Sequence, residues 1–526
     1  MKTLWLWIGL PLAAQQPFQV PFERIVNADR EPGNWLSYSR DYTGQRYSTL
    51  DRINTENVSR LRVAWVHQAQ ERDVVETSPI VVDGIMYITE PPDVVKALDA
   101  ATGRAIWRYQ REIPKDLRLC CGRVNRGLAI LDDAVFYGSI DAYLTALDAR
   151  SGKVRWSVPM ADYKLGYSAT GAPLAVKDKV ITGMAGGEFG VRGFIDAYDA
   201  KTGKRVWRFN TIPAKGEPGN ETWAGESWKT GSGTTWVTGA YDATSNTVYW
   251  GTGNPGPDWN GDGRAGDNLY TDCLIALDPD TGAKKWHFQY TPHDVHDWDS
   301  TQTPTLVDGM FRGEQRKMVV LANRNAFYYV LDRTNGKFLA GQPYVKQTWA
   351  TGLDEAGRPM RAPNTSPSVE GTLVWPSLGG GSNWYSSTYS PKTSLYYVNA
   401  KEMAAYYHKG EAEYKAGALF NGGGEREYNG EEPYGALRAL EVDSGKLRWE
   451  FRLKDPSHAG LMSTAGGLVF GSNGSSFFAL NATSGDSLWR FEAGAGIIAN
   501  PITYLSGGKQ YVAIAAGHGL FVFGLD

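Results

Sequence analysis

Short apolar runs alternate along the chain with small clusters of Asp, Ser, Thr and Gly, and the alternation repeats. Ala97-Leu98-Asp99-Ala100-Ala101-Thr102-Gly103 leads to Trp107, and Ala146-Leu147-Asp148-Ala149-Arg150-Ser151-Gly152 leads to Trp156. The same pattern runs from Ala197-Tyr198-Asp199 through Gly203 to Trp207, and from Ala276-Leu277-Asp278 through Gly282 to Trp286. Weaker copies run from Val330-Leu331-Asp332 to Gly336, from Leu440-Glu441 to Trp449, and from Leu480-Asn481 to Trp489. A degenerate copy is expected at Leu395-Tyr396-Tyr397-Val398-Asn399. Each copy reads as an apolar strand, an Asp-x-x-Ser/Thr-Gly turn and a second strand ending in Trp. The Asp side chain caps the turn and Gly supplies its φ > 0 position. This is a hairpin signature, repeated.

The successive Asp positions 99, 148, 199, 278 and 332 lie 49, 51, 79 and 54 residues apart, and 332 to 441 is 109, about two periods. Counting one unit inside that last gap makes eight copies. A period near 50 residues with four short strands per unit predicts an all-β fold, an eight-bladed β-propeller with Trp packed between neighbouring blades. A single domain is expected over 15–526, with loop insertions near 210–235, 255–270, 345–375 and 400–437, where such folds carry function.

Composition sharpens this picture. Of 526 residues 61 are Gly and 19 are Trp; at about 12% the Gly content exceeds the usual ~7%. The recurrent turns and docking positions account for most of that surplus. A hydrophobic share of 42% with 21% charged residues excludes disorder and a coiled coil. A net charge of −3 removes a basic footprint for nucleic acid. Three Cys exclude a disulfide-rich scaffold and a Cys₄ zinc module. Lys2 followed by the apolar run Leu4–Leu12 and Ala13-Ala14 reads as a secretory signal peptide over about 1–14. That run is too short to span a bilayer, and no other apolar stretch matches it. A periplasmic protein without a membrane span is therefore expected.

Several segments exceed what a structural repeat needs. Cys120 and Cys121 are adjacent, with Cα atoms ~3.8 Å apart, short of the ~4.4 Å minimum of ordinary disulfides. The pair is either a strained ring or two unbonded thiols, whereas Cys273 in a strand is an inert buried thiol. Gly186-Gly187-Glu188 places a carboxylate in a glycine turn whose small residues let a flat ligand approach the backbone. Asn254 sits on a Pro-Gly-Pro turn, as an Asx turn or as an amide ligand. The densest cluster is His293-Asp294-Val295-His296-Asp297-Trp298-Asp299. It lacks the helical His-Glu-x-x-His of a zinc site. In an extended segment Asp297 and Asp299 share one face, which is costly unless a cation sits between them. A hard cation with oxygen ligands, such as calcium, fits Glu188, Asn254 and one or both Asp residues. Arg126, Thr170, Trp236, Arg324-Asn325 and Gly379-Gly380-Gly381-Ser382-Asn383-Trp384 complete the set.

Taken together, these residues resemble the quinoprotein alcohol dehydrogenases, eight-bladed propellers that hold pyrroloquinoline quinone (PQQ). The likeness runs from Asn34-Trp35 and Gln45-Arg46-Tyr47-Ser48 to the C-terminus. Its most specific motif is Cys120-Cys121 followed by Val124-Asn125-Arg126-Gly127. The resemblance implies a Cys120–Cys121 disulfide ring on one face of PQQ and Trp236 stacked on the other. It implies Arg126, Thr170, Gly186 and Gly187 at the cofactor's carboxylates and carbonyls, Arg324 at a quinone oxygen, and Asn383 and Trp384 along the far edge. Glu188, Asn254 and Asp297 would ligate the metal, with Asp297 also the catalytic base.

Asp299 stands where lanthanide-dependent members carry a second carboxylate. Three negative charges suit a trivalent ion better than calcium, so a lanthanide is favoured. Two departures bear on substrate preference: Gly122 stands where methanol-oxidising members carry Asp, and Ser457-His458-Ala459-Gly460 where many carry a Trp-Gly-Gly-like turn. The implied reaction is oxidation of a small primary alcohol to an aldehyde. No Cys-x-x-Cys-His motif is present, so a separate electron acceptor is expected, which the resemblance implies is a soluble cytochrome c. The alternatives are a PQQ-dependent aldose or polyol dehydrogenase and a non-enzymatic propeller scaffold. The residues leave the particular alcohol and the oligomeric state open, a homodimer included. Tyr406, Tyr407, Phe420 and Tyr428 either cap the site or pack the 400–437 insertion.

Overall fold

A computed structural model describes residues 18–526; the expected signal peptide at 1–14 lies outside them. Strand propensity and turn chemistry act together in each unit. In the first sheet, Ile80–Val82, Ile85–Glu90, Val94–Asp99 and Ala105–Gln110 form an antiparallel meander. Val94–Asp99 is buried on both faces save its last residue, whereas Ala105–Gln110 alternates between exposed and half-buried positions. Inner strands therefore read as continuous apolar runs and outer strands as alternating ones.

Further four-strand meanders follow within 129–159, 174–210, 240–289, 305–343 and 388–453, and another within 462–492 gains Tyr47–Ser48 as a fifth strand. In the last sheet, Ile502–Ser506, Lys509–Ala516 and Gly519–Gly524 are completed by Arg62–Gln68 from the other end of the chain. Arg62 pairs with Gly524 and Val66 with Phe521. Among the described residues this closes the series into a ring of eight such sheets, a β-propeller.

The repeat motif is the joint between sheets. Asp99 Oδ1 accepts from the Thr102 backbone N–H at 2.9 Å and from its hydroxyl at 2.8 Å. Trp107 packs on the equivalent turn of the next sheet and donates its indole N–H to Ala149 O at 2.9 Å. Trp156 does the same to Ala200 O at 3.0 Å, and Trp207 to Pro279 O at 2.9 Å. The turn glycine serves twice. At Gly152 φ is +69°, and a Cβ there would lie 2.5 Å from the Trp107 ring. Trp65 meets Gly103 in the same way, which joins the last sheet to the first.

One expectation is corrected. The degenerate copy at 395–399 is not a separate unit. Leu395–Glu402 is the second strand of the sheet whose third strand, Tyr434–Glu441, carries the Leu440-Glu441 copy. The long gap is filled instead by two small extra sheets, one pairing Ala350–Leu353 with Pro359–Arg361 and one joining Thr372–Val374, Ala405–Lys409 and Gly423–Glu427. The eighth sheet is the closure, which has no Asp-x-x-Thr-Gly turn because its outer strand Arg62–Gln68 is not joined to Gly519–Gly524 by a hairpin. The fifth sheet has its Asp332 turn but no docking Trp. Tyr328 packs on Gly445 in its place and donates to Val442 O at 2.8 Å.

Candidate active site

Each connection between neighbouring sheets sends residues to one cavity of about 800 Å³. In ring order these are Glu76, the 120–126 loop, Ser168 and Thr170, Thr234 and Trp236, Asp297 and Asp299, Ser377–Gly379 with Asn383 and Trp384, His458 and Ile498. Gly186–Glu188, Asn254, Arg324 and Lys401 enter from the ends of second strands or just beyond them. The fourteen residues that the sequence reading assigns to cofactor, metal or catalysis all line this one cavity.

Cys120 and Cys121 are joined by a disulfide and are exposed to the cavity, while Cys273 is a buried free thiol. Cys121 Sγ lies 3.4 Å from Glu188 Oε1. The Arg126 guanidinium sits 4.9 Å from the Trp236 ring centre and 4.3 Å from that of Trp384, and is held by an ion pair to Glu76 at 3.0 Å. Its Nε is buried with no hydrogen-bond partner among the described residues, as is Nε of Arg324. Thr170 Oγ1 approaches Trp236 O at 3.5 Å. Asn383 Oδ1 accepts from the Trp384 backbone N–H at 2.8 Å, which fixes the tip of that glycine turn.

The 294–299 segment is not extended as expected. Asp294 accepts from the backbone N–H groups of His296 at 2.9 Å and Trp298 at 2.7 Å. That curls the chain, and Asp297 takes φ +59°, a left-handed conformation that Asp tolerates. Asp297 and Asp299 both line the cavity because of this turn, not because of strand alternation. The histidines are engaged elsewhere. His296 is buried against Trp298, with ring centres 4.2 Å apart, and its Nε2 meets Thr365 O at 2.8 Å. His293 Nδ1 meets Gly266 O at 2.9 Å.

Asp299 accepts from the Asn254 backbone N–H at 2.9 Å, the Trp236 indole at 3.2 Å and Arg324 Nη1 at 2.8 Å. Around it stand Glu188, Asp258 and Asp297. Burial first, and then mutual repulsion against the single counter-charge of Arg324, holds Asp297 well above the usual carboxylate range. Burial, helped by Asp299, raises Glu188 from its ordinary 4.5 to about 7. Crowded carboxylates of this kind fit a multivalent cation with oxygen ligands. A flat cofactor fits beside them, between a disulfide, an indole and two arginine Nε atoms that lack partners.

This arrangement has a pH signature. Without metal, the raised Glu188 contributes stability that is fully present below pH 4.5 and lost as pH rises through about 7. That loss is about 3 kcal/mol, since each pKa unit between the folded and unfolded states is worth about 1.4 kcal/mol. Metal binding needs the ionised form, so affinity should fall as pH drops below 7. Urea melts with and without terbium(III) at pH 5 and pH 7.5 would show metal stabilising much more at the higher pH. Equal stabilisation at both would contradict this.

Several lining residues escaped sequence reasoning. Lys401 sits in the strand Leu395–Glu402 and is 3% exposed, with Nζ 3.5 Å from His458 Nδ1. Burial, then Arg324, lowers it to about 7. Burial and then Lys401 lower His458 to about 4, so its ring is neutral near pH 7. Glu76, Tyr385, Met403 and Glu425 also line the cavity. Tyr406, Tyr407, Phe420 and Tyr428 do not; Tyr406 packs with Tyr428 and Phe420 with Tyr414. Gly122 has φ +91°, a conformation that Asp would strain.

Such a ring of sheets around a disulfide- and carboxylate-lined cavity defines a class of cofactor-dependent β-propeller. The sequence matches the PQQ glucose/ethanol/alcohol dehydrogenase beta-propeller domain over residues 35–345 and 452–512. It is 39% identical to the quinoprotein alcohol dehydrogenase PedH of Pseudomonas putida over 97% of this chain and 90% of that one. It is 40% identical to the quinohemoprotein alcohol dehydrogenase ADH IIB of Pseudomonas putida, over 98% of this chain and 78% of that one. A europium-containing methanol dehydrogenase superposes with a TM-score of 0.91 at 35% identity, covering 96% of this chain and all of that one. The chain belongs to the PQQ-dependent quinoprotein alcohol dehydrogenase family. It is an oxidoreductase that oxidises alcohols with PQQ.

Proposed function

We propose that this protein is a periplasmic dehydrogenase that oxidises small primary alcohols to aldehydes, and that its eight sheets are eight blades. The observation that carries the reading is the convergence of Glu188, Asn254, Asp297 and Asp299 with the Cys120–Cys121 disulfide and Trp236 on one cavity. The four oxygen-bearing residues would hold one metal ion. A lanthanide suits three of them, all carboxylates, better than calcium does, and a europium-containing relative supports this.

When bound, PQQ supplies the hydride acceptor and the metal the Lewis acid that polarises it. The remaining work belongs to the chain's own residues. The disulfide and the Trp236 indole would flank the flat cofactor. Arg126, Thr170 and the small Gly186 and Gly187 would receive its carboxylates and carbonyls. Arg324 would donate to a quinone oxygen, and Asn383 and Trp384 would bound the far edge. Asp297 would take the proton of the alcohol hydroxyl. Electrons would leave to a separate soluble cytochrome c.

Reconstitution with PQQ plus La³⁺ or Ca²⁺, followed by dye-linked oxidation of primary alcohols, aldehydes and glucose, tests the reading. Fastest turnover of a primary alcohol with La³⁺ is expected. A preference for glucose would overturn the alcohol assignment, and activity with Ca²⁺ unimproved by La³⁺ would overturn the choice of metal.

A further inference from the structure

Asn254 carries two chemically opposite atoms at its tip, and only its oxygen can ligate a cation. Which atom faces the cavity is set by what holds the other. Here Asn254 Nδ2 donates to Asp258 Oδ1 at 2.8 Å. Asp258 lies four residues on, is 2% exposed, and does not itself line the cavity. Oδ1 of Asp258 is the acceptor, and of the two tip atoms of Asn254 only the nitrogen can donate to it. Asp258 therefore draws the amide nitrogen toward itself and leaves Asn254 Oδ1 turned away from it.

The backbone around this pair is fixed. The Asn254 N–H donates to Asp299 Oδ1 at 2.9 Å, and Asn254 O accepts from the Gly233 N–H at 2.9 Å. The fully buried Arg264 donates to Pro257 O at 2.9 Å and to Asp294 O at 2.6 Å, which ties the Pro255–Asp258 turn to the segment bearing Asp297. Asp258 Oδ2 is buried with no hydrogen-bond partner among the described residues. So costly a side chain, held on one amide by one oxygen, adds no packing that an apolar residue would not supply.

We propose that Asp258 is a positioning residue for the metal site: by accepting from Asn254 Nδ2 it commits Asn254 Oδ1 to the cation. The inference rests on the metal reading given above. Outer partners that orient a ligand typically matter 10–100-fold in metal affinity.

The test is a terbium(III) titration of the PQQ-loaded protein, followed by luminescence sensitised through the cavity tryptophans. Asp258→Ala and the similarly sized Asp258→Leu, neither of which offers an acceptor to Asn254 Nδ2, are each expected to weaken terbium binding about 10–100-fold, with melting of the metal-free protein confirming the fold. In an Asn254→Ala background, Asp258→Leu should cause little further loss, because the amide that Asp258 orients is gone. A folded Asp258→Leu protein that binds within twofold of the parent overturns the proposal, as does an undiminished loss in the Asn254→Ala background. If Asp258→Ala does not fold, Asp258→Leu decides. Failure of the parent itself to bind terbium overturns the metal reading, and this inference with it.

Discussion

Asp297→Asn should lower kcat by about 10²–10⁴-fold, the usual worth of a positioned general base, in protein that still carries PQQ and metal. The substitution isolates the proton-accepting role. Asn keeps the volume, offers an oxygen to a cation, and enters the left-handed region as readily as Asp does. The φ of +59° at this position therefore adds no strain in the variant. The Asp294 box that curls the segment uses backbone N–H groups of His296 and Trp298, so it survives unchanged. What is lost is the negative charge and the site for the hydroxyl proton. Dye-linked turnover, normalised to PQQ and metal content, reads the effect. Turnover within tenfold of the parent at equal loading would remove Asp297 from the role of base.

Asp299→Ala should separate the two candidate metals. The parent presents Glu188, Asp297 and Asp299 around one point, and each lost charge weakens a trivalent ion more than a divalent one. La³⁺-supported activity is expected to fall at least about 100-fold, in line with loss of a direct ligand where outer partners alone matter 10–100-fold. Ca²⁺-supported activity should fall much less. The Asp299 carboxylate is also pressed against Gly253, where a Cβ would lie 2.3 Å from Oδ1. It accepts from Trp236 and Arg324 as well, so some loss of cofactor orientation should accompany either metal. Parallel loss of La³⁺ and Ca²⁺ activity would show that Asp299 serves orientation alone.

The legible and illegible parts of the site divide by the kind of signal they leave. Cys120-Cys121, Gly186-Gly187-Glu188 and the Asp297–Asp299 pair are unusual local strings, and each reaches the cavity. Lys401 and Glu76 leave no such mark. Each is one polar residue in an ordinary stretch, and its role depends on partners far along the chain, His458 for one and Arg126 for the other. Asp258 was masked by the turn it belongs to, since Pro-Gly-Pro-Asp reads as loop punctuation.

The fold divides in the same way. The sequence by itself determined the hairpin unit, its capped turn and the Trp that docks it, because those are short-range steric and hydrogen-bonding requirements written into neighbouring residues. It misassigned one unit at 395–399, because an apolar run inside a strand does not say which strand of a sheet it is. Only the tertiary structure decided how the ring closes, with Arg62–Gln68 pairing to Gly519–Gly524 across nearly the whole chain. It also decided that every connection between sheets opens onto the same cavity. Strand pairing between distant segments depends on which edges remain unpaired once the local hairpins have formed, and no local string carries that information.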